Sequence, residues 1–367
     1  MTPPHCRIVP APSDIRPFGR SPNWTAAQVD YENHPAYRSL IHKASPGARL
    51  RAAVVFATSM VPLLVKRLVR YERIPHDIRT AKTAAGRLRF LAACLRNLVA
   101  GKTGVRGGAS ASAASRRLAE TGCLVLAAPA DRFRELDAAA QPEFAALAAG
   151  RGEGIGGGRA FDESRAEASR LTAARLFDCI ERTFEETGVM EAASAYLGWP
   201  ARLIDVNPQI NDESDSFWRE IFPDLEQEGL PAAAYCHRDA SGGDLKAMIY
   251  FSDVGERNGP FNYAIGSHRL RISRLDNLIC EANDHNGLSG TGPSARALFA
   301  ALPRRLRQKG AFGNDLVDGA PLSAEIVASL WPIEGPTGSI VLFDTKGIHR
   351  GGMVIEGERR VITCVIG

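Results

Sequence analysis

The chain has 367 residues, 45% of them hydrophobic and 23% charged, which is ordinary for a globular protein and long enough for one large domain with extensions or for two domains. Its seven cysteines are dispersed without a CxxC pair, so the composition excludes a disulfide framework and favours reduced thiols in a cytoplasmic compartment. The net charge of +4 conceals an asymmetry: residues 1–120 hold 20 Lys and Arg against 6 Asp and Glu, and the remainder holds 25 against 35.

The N-terminal third of the chain is basic and helical in pattern. Residues 1–45 are rich in Pro, Arg and Ser, and are expected to be extended or loosely ordered. Between about 49 and 99, apolar residues recur at helical spacing with Arg and Lys between them, which predicts two or three basic amphipathic helices. The longest uncharged run, 52–65, has 14 residues, whereas a membrane span needs roughly 20. We expect a buried or interfacial helix and no transmembrane segment.

A Gly- and Ser-rich linker at 101–115 divides this basic extension, residues 1–110, from a second domain, residues 111–367. The second domain begins with a short helix at 117–121 and an apolar strand from Cys123. Residues 138–149 and 163–187 are helical in composition, and Gly188 is a natural end for the second of these helices. From residue 202 the pattern is that of strands, apart from one long insertion.

The predicted strand 203–211 has a continuous polar face. Alternation with period two puts Asp205, Asn207, Gln209 and Asn211 on one side of it, and Pro208 indicates an edge position or a bulge. Taken alone, this polar face is better explained by contact with solvent. In a barrel with a wet interior, the same face would line a polar cavity.

A candidate metal site follows. The segment Tyr235-Cys-His-Arg-Asp239 puts His237 and Asp239 two residues apart, so on a strand both side chains point to the same face. A third ligand is available in His349, at the end of an apolar strand that begins near residue 338. Two histidines and one carboxylate leave three positions of an octahedral ion open, an arrangement typical of non-haem Fe(II) oxygenases.

Further motifs surround these residues. They are Leu245-Lys-Ala-Met-Ile-Tyr-Phe-Ser-Asp253, Asn258-Gly-Pro-Phe-Asn-Tyr-Ala-Ile-Gly-Ser-His268-Arg269, and His349-Arg-Gly-Gly followed by Arg359-Arg360. Together with the His-x-Asp pair, they make residues 117–367 resemble the phytanoyl-CoA dioxygenase family of Fe(II)- and 2-oxoglutarate-dependent oxygenases.

The resemblance implies an α+β fold with a mainly β core, a double-stranded β-helix of the jelly-roll or cupin type flanked by helices. It implies that His237, Asp239 and His349 ligate Fe(II). It also implies that an arginine after His349 binds the distal carboxylate of 2-oxoglutarate, the co-substrate used with O2. Spacing favours Arg360, and the sequence context of the next strand favours Arg359, to which we lean.

The resemblance also bears on the reaction. In related halogenases a small residue replaces the carboxylate ligand, so Asp239 favours hydroxylation, desaturation or ring formation at an unactivated C–H bond. Two other functions stay open: a non-catalytic binding protein of the same fold, and a zinc-dependent hydrolase.

Several residues are candidates for supporting roles. Lys246 and Tyr250 share a strand face and could hold 2-oxoglutarate or substrate, although Lys246 could equally extend to water. Asn207 and Gln209 could orient either ligand through their amides. His268, in a Gly-Ser-His turn, is expected to be structural. The insertion near 270–335 is expected to form a lid over a small-molecule substrate.

The charge asymmetry suggests a partner for the basic extension. Docking of the two parts on each other, or plain solvation, explains it most simply. A weaker hypothesis is that the extension binds an acyl carrier protein or the phosphates of a CoA thioester. Nucleic acid is not expected, because the basic residues are not interleaved with stacking aromatic residues.

Overall fold

The protein combines helices with antiparallel sheets. The computed structural model describes residues 8–19, 31–33, 35–69, 71, 74, 76–79, 82–99, 112–149, 163–165, 168, 170–213, 236–239, 244–269, 293–307 and 323–367. Its helices are α1 (Pro35–Lys43), α2 (Pro46–Leu68), α3 (His76–Arg79), α4 (Ala84–Val99), α5 (Ala113–Thr121), α6 (Ala130–Ala149), α7 (Ala174–Glu186), α8 (Val189–Leu197), α9 (Pro293–Ala301), α10 (Arg304–Arg307) and α11 (Ser323–Ser329). Its strands are β1 (Ile8–Val9), β2 (Cys123–Ala127), β3 (Glu163–Arg165), β4 (Leu203–Asp212), β5 (Leu245–Tyr250), β6 (Phe261–Ala264), β7 (Leu330–Ile333), β8 (Ser339–Asp344), β9 (His349–Arg350) and β10 (Glu358–Ile366).

Two sheets carry the described strands. The larger has the order β1-β2-β8-β5-β10-β4-β3, and the smaller has the order β7-β6-β9; all neighbouring strands are antiparallel. The central strands of the larger sheet are apolar on both faces. In β5, Ala247 and Ile249 face the helices, while Met248 and Tyr250 face the smaller sheet. The core therefore has two layers, one on each side of the larger sheet.

Several of these elements lie where the sequence predicts them. The helix at 117–121 and the strand from Cys123 correspond to α5 and β2, and the polar strand corresponds to β4. Pro208 lies opposite Ile362 of β10, and on its other side the described contacts of β4 are the pairing with β3 up to Gln209 and the bridge from Ala168 to Val206.

Other predictions are wrong. Residues 1–45 are not extended or loosely ordered throughout, because residues 35–43 form α1, whereas β1 is extended and pairs with β2. The helix expected at 163–187 begins only at Ala174, and residues 163–165 pair with β4 instead, because sheet pairing overrides a helical composition. The insertion is predicted to extend to about residue 335, but it ends earlier, because residues 330–333 form strand β7 of the smaller sheet. The linker expected at 101–115 is wrong at its end, because residues 113–115 belong to α5. Residues 101–111 of that linker and much of the insertion, 270–292 and 308–322, lie outside the described residues.

The basic extension packs on the rest of the protein. Tyr37 is fully buried, with its ring 4.9 Å from that of Tyr31 and 5.8 Å from that of Phe299 on α9. Arg79 on α3 forms an ion pair with Asp244, at 2.6 Å between Nη2 and Oδ1, just before β5. The N-terminal helices are thereby joined to both the insertion and the larger sheet.

Candidate metal centre

A pair of backbone hydrogen bonds sets the two histidines opposite each other. The amide of His237 donates to the carbonyl of His349 at 2.9 Å, and the amide of His349 donates to the carbonyl of His237 at 2.8 Å. Residues that exchange both bonds in an antiparallel pair project their side chains to the same face. The two imidazole rings accordingly lie with centroids 4.5 Å apart.

Asp239 completes the cluster. Its amide donates to the carbonyl of Thr345 at 2.9 Å, so the segment 237–239 runs beside the loop that leads into β9. Its Oδ1 lies 3.7 Å from Nε2 of His237 and 3.7 Å from Nε2 of His349. Ligand bonds of about 2.1 Å would bring adjacent donor atoms to about 3 Å, so a small contraction closes this set on one ion. The structure therefore brings the three predicted ligands together, with their donor atoms all within 4.8 Å of one another.

His349 is prepared for metal binding by its neighbours. Its Nδ1 lies 2.9 Å from the carbonyl oxygen of Gly347, and because a carbonyl only accepts, Nδ1 carries the proton and Nε2 presents a lone pair to Asp239. Burial, together with the neighbouring His237, lowers the pKa of His349 from its ordinary 6.5 to about 4, so the ring is neutral at physiological pH.

Lys246 holds the other carboxylate oxygen of Asp239. Its Nζ donates to Oδ2 at 2.7 Å, which leaves Oδ1 directed at the two histidines. Burial raises the pKa of Asp239, but electrostatic interactions with His349, Lys246 and His237 and the hydrogen bond from Lys246 outweigh it and hold the pKa well below the ordinary value. The sequence leaves open whether Lys246 faces the interior or extends to water. The ion pair shows that it faces the candidate metal centre.

The polar face of β4 is buried against the same interior. Asn207, Gln209 and Asn211 are all buried and pair with Thr363, Val361 and Arg359 of β10, so the six side chains share one face of the larger sheet. Val361 belongs to the core between the two sheets. The cavity-facing alternative for this strand is therefore the one the structure supports.

The two arginines after His349 lie on opposite faces of β10. Arg359 is 4% exposed, and its Nε and Nη2 donate to Oδ1 of Asn211 at 3.2 and 2.9 Å, while Nη1 donates to the carbonyl of Gly259. Its guanidinium also lies beside the backbone of Gly351, two residues after His349. Arg360 is 38% exposed and pairs with Glu358 at 2.5 Å. The interior position belongs to Arg359.

Tyr250 does not fit the ligand-binding role expected from the sequence. Its hydroxyl donates to the carbonyl of Ile333 at 2.8 Å and accepts from the amide of Phe261 at 3.3 Å. Ile333 and Phe261 belong to the smaller sheet, so the hydroxyl joins the two sheets and is already occupied on both sides. This contact depends on how the smaller sheet packs against β5, and the sequence of β5 alone does not indicate that packing.

His268 is a turn residue, as expected. It lies in a single turn of 3-10 helix, Ser267–Arg269, and its Nε2 lies 3.1 Å from the carbonyl oxygen of Ala119, away from the cluster. Among the described side chains, His42 is exposed on α1. The metal cluster found among the described residues consists of His237, Asp239 and His349.

The cluster is open on one side and walled on the other. The side chains of His237 and Lys246 are 34% and 31% exposed, whereas that of His349 is 5% exposed. Behind His349 lie the rings of Phe343 and Phe261, with centroids 5.1 and 5.7 Å from its own. A ligand would approach from the side of His237 and Lys246.

No protein-family model and no curated protein matches this chain. Three of the solved structures to which it is similar cover about 70% of it. They are the epimerase SnoN in complex with Fe3+, alpha ketoglutarate and nogalamycin RO (14% identity, TM-score 0.40, 69% of this chain and 81% of that one), HygX from Streptomyces hygroscopicus with nickel and 2-oxoglutarate (16%, 0.39, 71% and 87%), and EctD from S. alaskensis with 2-oxoglutarate and 5-hydroxyectoine (15%, 0.40, 70% and 76%). At these identities and TM-scores, function has to be argued from the residues of the chain itself.

Proposed function

We propose that this protein is an Fe(II)- and 2-oxoglutarate-dependent oxygenase that oxidises an unactivated C–H bond of a small molecule, and that it belongs to the phytanoyl-CoA dioxygenase family. The observation that carries the proposal is the convergence of His237, Asp239 and His349 from two chain segments that lie more than a hundred residues apart. Two antiparallel sheets with the cluster between their strands support the double-stranded β-helix as its fold.

The donor set suits iron better than the alternatives. Two imidazole nitrogens and one carboxylate oxygen form the facial set of non-haem Fe(II) oxygenases, and leave three positions for a bidentate keto acid and oxygen. When bound there, iron and 2-oxoglutarate supply the activation of O2, with release of succinate and carbon dioxide. Asp239 fills the position that a halogenase leaves for chloride, so hydroxylation, desaturation or cyclisation is favoured over halogenation.

The chain's own residues hold and shield this centre. Gly347 fixes the tautomer of His349, and Lys246 fixes the carboxylate of Asp239, so the donor atoms converge before the metal arrives. Phe343 and Phe261 exclude water from the buried side.

Arg359 is the proposed partner of the distal carboxylate of 2-oxoglutarate. Its planar guanidinium suits a carboxylate with two parallel hydrogen bonds, and Asn211 orients it from behind. The buried amides of Asn207 and Gln209 lie along the same face and are proposed to contact 2-oxoglutarate or substrate.

Two further parts of the proposal concern the open side of the candidate metal centre and the location of the protein in the cell. The insertion, with α9, α10 and α11, is proposed to contribute a lid over the open side of the centre. A cytoplasmic location is supported by five buried, unpaired cysteines among the described residues: Cys94, Cys123, Cys179, Cys236 and Cys364.

The test is 2-oxoglutarate turnover by the full chain loaded anaerobically with Fe(II) and then exposed to O2. We expect succinate to form even without the natural substrate, and to be lost in Asp239→Ala and His349→Ala, whereas His42→Ala retains it. Failure of the wild-type protein to bind Fe(II) or to consume 2-oxoglutarate would overturn the proposal. Hydrolytic activity with Zn(II) alone would instead identify a hydrolase.

A further inference from the structure

Helices α2 and α4 expose an unusual number of large aliphatic side chains. Of the fourteen large hydrophobic residues that are exposed among the described residues, ten lie on these two helices. On α2 they are Leu50, Val54, Val61, Leu64, Val65 and Leu68, and on α4 they are Leu88, Leu91, Leu95 and Leu98. We call these ten residues the aliphatic face. A surface of this kind marks an interaction site.

On α2 the aliphatic face lies opposite the side that packs on the protein. Ala52, Phe56, Ser59 and Leu63 recur every three or four residues and are buried, forming one stripe along the helix. The exposed residues from Leu50 to Leu68 recur with the same period, half a turn away. α2 therefore rests on the protein with one side and presents the other outward.

On α4 the exposed leucines follow one another at intervals of three, four and three residues, and so form one stripe. Ala93 and Cys94 of the same helix are buried against Ile74. Near its end, Nδ2 of Asn97 donates to the carbonyl of Val69, just beyond α2, at 3.1 Å. The inner side of α4 thus packs on the segment that follows α2, and its four leucines are left on the outside.

The charges on these helices have one sign. Neither α2 nor α4 contains an acidic residue, and residues 46–99 hold eleven Lys and Arg against two Asp and Glu. Arg49 and Arg51 lie in the first turns of α2, and Lys66 and Arg67 lie in its last turn. Arg87, Arg89 and Arg96 accompany the leucine stripe of α4.

The combination of exposed aliphatic side chains and positive charge distinguishes between the possible occupants of the aliphatic face. A second copy of the chain would bring two strongly basic surfaces together, and such like charges oppose association. An acidic carrier protein would satisfy the charge but not ten aliphatic residues, and the face lacks the aromatic anchors that protein interfaces favour. An anionic lipid surface satisfies both, because acyl chains accept the aliphatic residues and phosphates accept the flanking arginines and lysines.

We propose that α2 and α4 bind the protein to the surface of a membrane that contains anionic lipids, with both helices lying in the plane of the interface. This inference does not depend on the proposed oxygenase activity. By length and composition, 46–66 is the one stretch of helix among the described residues that could cross a bilayer, with a mean hydropathy of 1.6, and only 22% of it is buried in the protein. A helix that packs on α9 through a buried stripe has only one side to offer to lipid, which favours the interfacial position.

The test uses the full chain and lipid vesicles in a flotation assay. Wild-type protein should float with vesicles that contain phosphatidylglycerol, and much less with pure phosphatidylcholine, and the bound fraction should fall as salt rises. The double substitution Leu91→Glu and Leu95→Glu should lower the partition coefficient at least tenfold. Leu171→Glu is the matched control, because Leu171 is 97% exposed but lies before α7, outside the face, and it should change binding less than twofold.

A second variant guards against misfolding. Leu64→Glu alters α2 alone, and thermal unfolding of each variant shows whether it is folded as the wild type is. Absence of wild-type binding to anionic vesicles would overturn the proposal, as would equal loss of binding in Leu171→Glu. So would a wild-type dimer in light scattering that Leu91→Glu with Leu95→Glu converts to monomer, without any vesicle binding. Retention of binding by the folded Leu64→Glu and double variants would also overturn it.

Discussion

The ammonium group of Lys246 lies 2.7 Å from Oδ2 of Asp239, while Oδ1 of the same carboxylate lies 3.7 Å from each histidine Nε2. One oxygen is thus held by the protein and the other is left for the metal. Lys246 is therefore a positioning residue, acting through Asp239 and not through direct contact with the ion.

Replacing Lys246 should weaken metal binding without removing it. Because residues that orient metal ligands typically contribute 10- to 100-fold to affinity, we expect Lys246→Met to raise the Kd for Fe(II) by roughly that factor. Lys246→Arg should restore much of the loss, since it keeps a donor and a charge. Lys82→Met, at an exposed position before α4, is the control. An unchanged Kd in Lys246→Met, measured by anaerobic titration, would show that the ion pair has no positioning role.

The neighbouring pair Arg359 and Arg360 provides a matched comparison for 2-oxoglutarate binding. Arg359→Gln should raise the KM for 2-oxoglutarate roughly 100-fold, because a charged bidentate contact in a buried site is lost. Arg360→Gln should change the KM less than about twofold, because its side chain is 38% exposed and paired with Glu358. The reverse result would assign the co-substrate to the outer arginine and would contradict the burial argument.

The metal-free protein should lose stability between pH 6.5 and pH 4. The pKa of His349 is lowered from 6.5 to about 4 by burial, so in this window the unfolded state binds the proton and the folded state does not, and stability falls as pH falls. The full difference corresponds to about 3 kcal/mol. Asp239, whose pKa is depressed, contributes stability that is lost only at lower pH. Urea unfolding at pH 7 and pH 4.5 should therefore show a smaller pH effect in His349→Gln than in wild type, with His42→Gln behaving as wild type.

Tyr250→Phe separates a structural role from a ligand-binding one. Removing the hydroxyl leaves the carbonyl of Ile333 and the amide of Phe261 buried without this partner, which should lower the free energy of unfolding by about 1–3 kcal/mol. The KM for 2-oxoglutarate should stay within about twofold of wild type. Tyr71→Phe is the control, because the ring of Tyr71 makes cation–π contacts with Lys66 and Arg79 and Phe keeps the ring. A large rise in the KM for 2-oxoglutarate with an unchanged free energy of unfolding would show that Tyr250 binds a ligand after all.

The residues of the metal centre were predictable because their signal is local. A histidine and a carboxylate two residues apart on a strand share a face whatever the rest of the chain does. The polar face of β4 was also visible as alternation, but whether it met water or an interior depended on its pairing with β10. For Tyr250 and Lys246, the partners come from distant segments, so the sequence left their roles open or indicated the wrong one.

The fold was predictable where elements are long and periodic, as in α2, α4 and β4. It was not predictable at β1 and β3, since strands of two and three residues have no period and form only because a neighbouring strand offers an edge. The length of α2 was also underestimated. Counting uncharged residues gave 14, whereas the helix has 23, because the arginines and lysine near its ends continue it.

The ion pair between Arg79 and Asp244 has a practical consequence for anyone who shortens the chain. Asp244 directly precedes β5, and Lys246, two residues later, holds the carboxylate of Asp239. Cutting within the glycine-rich segment before α5 would remove the guanidinium that neutralises Asp244, together with the tyrosines that cover Phe299. Arg79, Tyr31 and Tyr37 thus support the part of the protein that holds the candidate metal centre, and a shortened protein that fails to bind iron would have lost this support and not a metal ligand.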